Sequence, residues 1–223
     1  MKANEPTRPP EDRRQVKARR TREALAEAAV ALVLERGLGD VTVEAIAERA
    51  DVTRRTFSRH FTGKEDAALD FTRADGARIN AALRARPVEE PPLLAYRRAV
   101  ADWLADRETP SWHHRPRLRE LYAAVDGEPA LFAAYERIRV DAQDESVRII
   151  ADRLGTDPAR DARPEVVVGA AAGVLTAALR TWARGGKDAE DLADLVARAY
   201  DALIEEAARS AAASDTATST SRE

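Results

Sequence analysis

Residues 41–66 read VTVEAIAERADVTRRTFSRHFTGKED, and the spacing within this stretch marks three helix entries. Thr42 stands where an N-cap belongs, with Val41 before it and Ile46 four places after it as the two halves of a hydrophobic staple. Thr53, Val52 and Phe57 repeat that arrangement eleven residues later. Thr62-Gly63-Lys64-Glu65 has the spacing of a capping box that opens a further helix. Val43, Ile46, Ala47 and Ala50 share one side of the first short helix, and Phe57 and Phe61 lie one turn apart on the second. The opposite side of that second helix carries Arg54, Arg55, Ser58 and Arg59, flanked by Thr56 and His60, with no acidic residue between Val52 and Lys64.

Working outward, Leu25, Ala28, Ala29, Leu32 and Val33 recur at helical spacing upstream, and Gly37 supplies the left-handed residue that ends a helix over about 13–36. Downstream, the pattern predicts a helix over about 63–86, then helices near 92–107, 116–126, 129–154, 164–184 and 188–209, separated by Pro and Gly signals. The chain is therefore expected to be all-α, with about nine helices. Its domains are expected to be a disordered basic arm at 1–12, a helix-turn-helix unit at 13–66 with the 63–86 helix as connector, a helical bundle at 87–209, and a disordered tail at 210–223.

Composition agrees. The 223 residues include 47 alanines and 32 arginines but only 4 lysines, 10 glycines and 11 prolines, so good helix formers dominate. The absence of cysteine excludes a disulfide framework, a thiolate metal site and a cysteine nucleophile, and fits a reducing cytoplasm. The formal net charge of −3 divides into +4 over residues 1–86 and −7 over the rest, a basic front and an acidic back. The first residues have no apolar core of a secretory signal. The longest apolar run, 166–179, is shorter than the roughly 20 residues needed to span a bilayer, so no membrane role is expected.

A helix face with three arginines and small hydroxyls suits major-groove entry, because guanidinium groups bond bidentately to guanine while Ser and Thr reach bases or phosphates without filling the groove. The competing reading is a solvated basic face on a small helical subdomain. Arg8, Arg13, Arg14, Lys17, Arg19, Arg20 and Arg22 precede the motif; in the arm they suit a minor groove or a solubilising tail, and Arg19 and Arg20 on an ordered helix are the stronger phosphate candidates.

At Thr42–Ala47, Ala50–Thr53, Arg54–Phe61 and Gly63–Asp66, together with the preceding helix, the sequence resembles the TetR family of bacterial transcriptional regulators. The resemblance is close over about the first 70 residues; beyond them it rests on length and helix layout. It implies that Thr42 and Thr53 bond phosphates, that Arg54, Arg55, Thr56 and Ser58 face the groove, that Arg59 meets phosphate or base, and that Lys64 meets backbone phosphate. Asp51 departs from the family's usual glycine at a turn position expected to need positive φ, and His60 departs from the usual tyrosine while retaining a donor for phosphate.

The resemblance also implies a homodimer on a palindromic double-stranded operator, with the last two helices pairing with their copies. Gly169, Gly173, Leu175 and Trp182 on one, and Leu192, Leu195, Val196 and Leu203 on the other, are the candidate interface residues; closing the chain's own core is the alternative. It further implies an inducer pocket among Trp103, Trp112, Tyr122, Phe132 and Tyr135, each of which has core packing as its alternative. His113-His114 reads as a loop or pocket-rim feature, since adjacent helical side chains diverge by about 100° and do not readily share a metal. No catalytic motif, cofactor or metal site is expected. The reading is a cytoplasmic, ligand-released dimeric repressor. Its alternatives are a DNA-bound architectural or regulatory protein without inducer, and a helical enzyme or interaction module whose basic end is incidental.

Overall fold

A computed structural model describes residues 13–107, 112–185 and 190–220. Among these residues there are ten α-helices, one 3-10 turn and no strand. They form two compact units, the first ending at Asp70 and the second beginning at Phe71. The arm at 1–12 lies outside the described residues.

The first unit contains α1 (Arg13–Arg36), α2 (Val43–Arg49), α3 (Arg54–Phe57) and α4 (Lys64–Ala68). The apolar stripe of α1, Leu25, Ala28, Ala29, Leu32 and Val33, is buried, and Gly37 ends the helix at φ +80° with its N–H on the Val33 carbonyl at 2.9 Å. Thr42 and Thr53 cap α2 and α3, accepting from the N–H groups of Ala45 at 3.1 Å and Thr56 at 3.2 Å. Each such cap contributes about 1 kcal/mol. Between them Asp51 has φ 53°, the Val52 N–H reaches the Ala47 carbonyl at 2.9 Å and the Asp51 N–H reaches that of Glu48 at 3.0 Å. That pair of bonds is a Schellman motif, which explains the positive φ anticipated at Asp51.

The helix expected over 63–86 is two helices. Leu69, fully buried, interrupts it at φ −102° and ψ 8°, and α5 (Asp70–Ala85) starts at the next residue. The break lets Leu69 enter the interior while the Asp70 carboxylate meets the Arg22 guanidinium at 2.5 Å. The expected capping box also differs: Gly63 is the N-cap, and Asp66 rather than Glu65 reaches back, its Oδ2 accepting from the Thr62 N–H at 3.1 Å and hydroxyl at 3.2 Å.

The second unit comprises the rest of α5, α6 (Pro92–Ala105), the 3-10 turn Trp112–His114, α7 (Pro116–Ala124), α8 (Pro129–Leu154), α9 (Arg163–Arg184) and α10 (Leu192–Thr220). α9 is central, packing against α6, α7, α8 and α10. It is long and apolar enough to cross a membrane by length and composition alone, but Val168, Ala171, Ala172, Leu175, Ala178 and Leu179 are buried inside the folded unit. The Tyr200 hydroxyl ties α10 to α9 through the Ala171 carbonyl at 2.9 Å. Gly76 on α5 allows close approach to α8, since a Cβ there would lie 2.9 Å from that of Ala142. Beside it the Asn80 amide donates to the Ala142 carbonyl at 3.0 Å and accepts from Ser146 at 2.6 Å.

Two expected boundaries move. The proline-rich stretch at 87–92 is an internal turn, because Arg153 of α8 donates to the carbonyls of Arg86 at 2.9 Å and Glu90 at 3.2 Å and to that of Pro87. The tail expected to be disordered from 210 is helical to Thr220, in an alanine-rich segment that contains neither Gly nor Pro.

Candidate functional site

Two sites emerge, one in each unit. In the first, Phe57 and Phe61 are buried, with ring centroids 5.7 Å apart, which turns the other side of α3 outward. Thr42, Thr53, Arg54, Arg55, Ser58 and Arg59 are exposed, and Thr56 and His60 are half-buried. α3 itself is one turn long; i→i−3 bonds from Arg59 to Thr56 at 3.2 Å and from His60 to Phe57 at 2.8 Å carry its curl onward.

These side chains are not equally available. Arg54 pairs with Glu44 of α2 at 2.8 Å, Ser58 donates to the Arg54 carbonyl at 3.2 Å, and the hydroxyls of Thr53 and Thr56 bond each other at 3.0 Å. Arg55 and Arg59 make no ion pair among the described residues, so their guanidiniums have the least to give up on meeting a polyanion. The His60 imidazole is held below its ordinary pKa, first by burial and then by the charges of Arg22 and Arg59. Lys64 is half-buried, its ammonium donating to the carbonyls of Leu38 at 2.7 Å and Val41 at 2.9 Å. Two of its three N–H groups are thus spent inside the unit.

Arg22, one of the basic residues before the motif, has a structural task. Its guanidinium clasps Asp70, donates to the His60 carbonyl at 2.7 Å and lies 4.4 Å over the Phe61 ring. Arg19 pairs weakly with Glu23 at 3.7 Å, and both Arg19 and Arg20 are exposed.

The second site is a cavity of about 90 Å³ within the second unit, bounded by α5, α6, the 3-10 turn, α7, α8 and α9. Trp103, Trp112, Tyr122 and Tyr135 line it. Tyr122 stacks on Trp112 at 5.0 Å, and the Tyr122 and Tyr135 hydroxyls bond each other at 2.9 Å. Burial raises the pKa of both phenols. Phe132 is the exception: it is 40% exposed and does not line the cavity. It lies one residue from buried Leu131, and a step of about 100° on the helix turns it outward.

Sequence reasoning missed the cavity's one buried carboxylate. Asp75 on α5 is 7% exposed; its Oδ1 accepts from the Trp103 indole at 2.9 Å and from Arg78 at 3.4 Å, and its Oδ2 is buried without a partner among the described residues. Burial lifts the carboxyl from 3.8 to about 6, against the opposing pull of the Trp103 and Arg78 bonds. The signal was available in the register: Asp75 is four residues before Ile79 and eight before Leu83, both buried, so it occupies an apolar row.

The candidate interface residues divide in two. Leu175, Trp182, Leu192 and Val196 are buried within the chain's own unit and are corrected to core. Leu175 lines the cavity, and Trp182 packs edge-on to Trp112 at 5.8 Å with the Arg119 guanidinium 4.4 Å over its ring. Gly169 and Gly173 are exposed and Leu195 and Leu203 half-exposed, on faces that also show Val166 and Ile204. His113 and His114 have ring centroids 4.1 Å apart; burial lowers His113 to about 4, and no metal-binding cluster occurs among the described residues.

Residues 25–68 match the family described as "Bacterial regulatory proteins, tetR family", and residues 90–208 match the "MftR C-terminal domain". The chain is 37% identical over 194 residues to the HTH-type transcriptional regulator TcmR of Streptomyces glaucescens, covering 85% of each. Among solved structures it is similar to NalD, the secondary repressor of the MexAB-OprM efflux pump of Pseudomonas aeruginosa, with a TM-score of 0.54, 17% identity and coverage of 85% of this chain and 96% of that one. It is also similar to Thermus thermophilus FadR in complex with lauroyl-CoA, with a TM-score of 0.51, 23% identity and coverage of 82% and 93%.

Proposed function

Because the chain belongs to the TetR family of bacterial transcriptional regulators, we propose that it is a cytoplasmic homodimeric repressor that leaves its operator when a small molecule enters the cavity of the second unit. Members of this family are transcriptional regulators that carry a helix-turn-helix, and not enzymes. The observation that carries the DNA reading is the outward row of Arg54, Arg55, Ser58 and Arg59 on a helix whose other side is fixed by buried Phe57 and Phe61. Arg55 and Arg59 read or grip the duplex with little to release, Thr42 and Thr53 meet phosphate at helix starts, and Thr56 and His60 add donors. Lys64 offers its remaining N–H to backbone phosphate.

Two copies reading successive turns of one groove, about 34 Å apart, require a palindromic operator. The face with Gly169, Gly173, Leu195 and Leu203 supports the dimer, since exposed small residues admit a second backbone. The aromatic-lined cavity supports the ligand. For release, the ligand must bind the DNA-incompetent state more tightly, and a difference of about 1.4 kcal/mol lowers DNA affinity tenfold.

The test is fluorescence anisotropy of the full-length protein with duplexes from the DNA flanking its own gene, with and without a panel of small molecules. Specific, salt-sensitive binding at a palindrome, reversed by a compound, is expected. Equal affinity for random duplex would overturn the regulator's reading face, and specific binding that no compound reverses would overturn the release.

A further inference from the structure

Asp75 presents an unusual combination. The residue is 7% exposed, it lines the cavity, and Oδ2 is buried without a partner among the described residues. A buried acceptor left unmet is costly, and a charged one more so. The surrounding groups do not meet it. Trp103 gives its single N–H to Oδ1, and Arg78 reaches the same oxygen at 3.4 Å while holding Asp106 at 2.6 Å. Arg115 adds only a weak attraction. Across the cavity, Arg139 of α8 is committed to Glu136 through Nε at 3.0 Å and Nη2 at 2.5 Å.

The walls have the same electrostatic preference as the carboxylate. The faces of Trp and Tyr rings are the negative ends of their quadrupoles and attract cations, most strongly away from water. Trp103, Trp112, Tyr122 and Tyr135 all line the cavity with Asp75, Trp112 and Tyr122 stacked on each other at 5.0 Å. An anionic ligand would face that carboxylate and find Arg139 and Arg78 already occupied. At about 90 Å³ the space is smaller than the roughly 150 Å³ cavity that holds benzene, so it suits a ligand of only a few heavy atoms.

We propose that Asp75 is the anchoring residue of the cavity for a small alkylammonium cation, its Oδ2 accepting an N–H from the ligand's protonated amine while the ring edges and faces of the wall enclose the ligand's apolar body. This deepens the ligand-responsive reading and rests on it. At neutral pH the carboxyl is mostly ionised, so the amine meets a carboxylate whose Oδ1 is shared by Trp103 and Arg78 and whose Oδ2 is still without a donor.

The experiment titrates the full-length protein with isopropylamine, isopropanol and acetate at pH 8, followed by intrinsic tryptophan fluorescence and calorimetry. Isopropylamine binds at least tenfold more tightly than isopropanol, and acetate does not bind. Asp75→Asn lowers isopropylamine affinity about tenfold or more and leaves isopropanol within twofold. The retained alcohol binding separates loss of the anchor from loss of the fold. Equal binding of alcohol and amine, preference for acetate, failure of all three to bind, or indifference of isopropylamine to Asp75→Asn each overturns the assignment. Operator release is scored separately. A neutral or anionic compound that releases the operator through this cavity leaves ligand responsiveness standing and removes the cation, whereas isopropylamine bound at Asp75 without operator release does the reverse.

Discussion

The indole N–H of Trp103 donates to Oδ1 of Asp75 across 2.9 Å inside the second unit. That bond holds one oxygen and leaves the other unmet. The carboxyl is raised from 3.8 to about 6, so the folded chain holds this proton more tightly than the unfolded chain. Stability therefore falls as pH rises from about 3.8 to about 6, and the full penalty is present above that window. Asp75→Asn should raise the ligand-free melting temperature at pH 8, corresponding to at most about 3 kcal/mol. The gain should vanish near pH 4, and thermal melts at the two pH values check it.

Arg55→Ala should cost about 1–3 kcal/mol on the operator and much less on random duplex, because Arg55 is exposed and unpaired among the described residues. Anisotropy titrations on both duplexes decide it. Equal losses would move Arg55 from base to phosphate.

Arg54 meets Glu44 at 2.8 Å, with both side chains exposed. Glu44→Gln should free Arg54 for phosphate and tighten all duplexes by a few-fold at low salt, an effect on the scale of about 0–1 kcal/mol for such pairs. The slope of log affinity against log salt should steepen by up to about one unit.

Asp51 holds φ 53° at the end of α2. Asp51→Gly should stabilise the first unit by about 0.5–1 kcal/mol, and Asp51→Val should destabilise it, since a β-branched side chain tolerates this conformation poorly. Chemical denaturation of the three forms gives the order.

A Cβ at Gly169 or Gly173 would meet nothing within 4 Å in the single chain. Gly173→Leu should therefore preserve helicity while weakening the proposed dimer, which light scattering reads as a shift toward the mass of one chain. Trp182→Ala should instead unfold the chain more easily, by about 3–5 kcal/mol, because Trp182 is core.

Local chemistry was the legible part. The caps at Thr42 and Thr53, the staples, Gly37 and the positive φ of Asp51 depend on neighbours within a few residues, and the sequence carries all of those neighbours in order. Long-range partners were not legible: the break at Leu69 coincides with the burial of its side chain and with the pairing of Asp70 to Arg22, 48 residues earlier. The same limit explains the candidate interface. Apolar spacing on α9 predicts a buried stripe without saying whether this chain or a copy buries it, and for Leu175 and Trp182 it is this chain. Four of the five aromatics chosen for the pocket line it, while Phe132 shows that aromatic content alone carries no direction.

Lys64 bonds to carbonyls 26 and 23 residues earlier in the chain. A four-residue α3 has too few turns to hold itself in water, so its shape depends on buried Phe57 and Phe61 and on a framework that this tie helps to close. The proposed reading surface, though it ends in sequence at Phe61, therefore leans on a side chain that the ribosome adds after it, and a fragment cut at Phe61 is expected to hold its arginines less firmly than the whole unit.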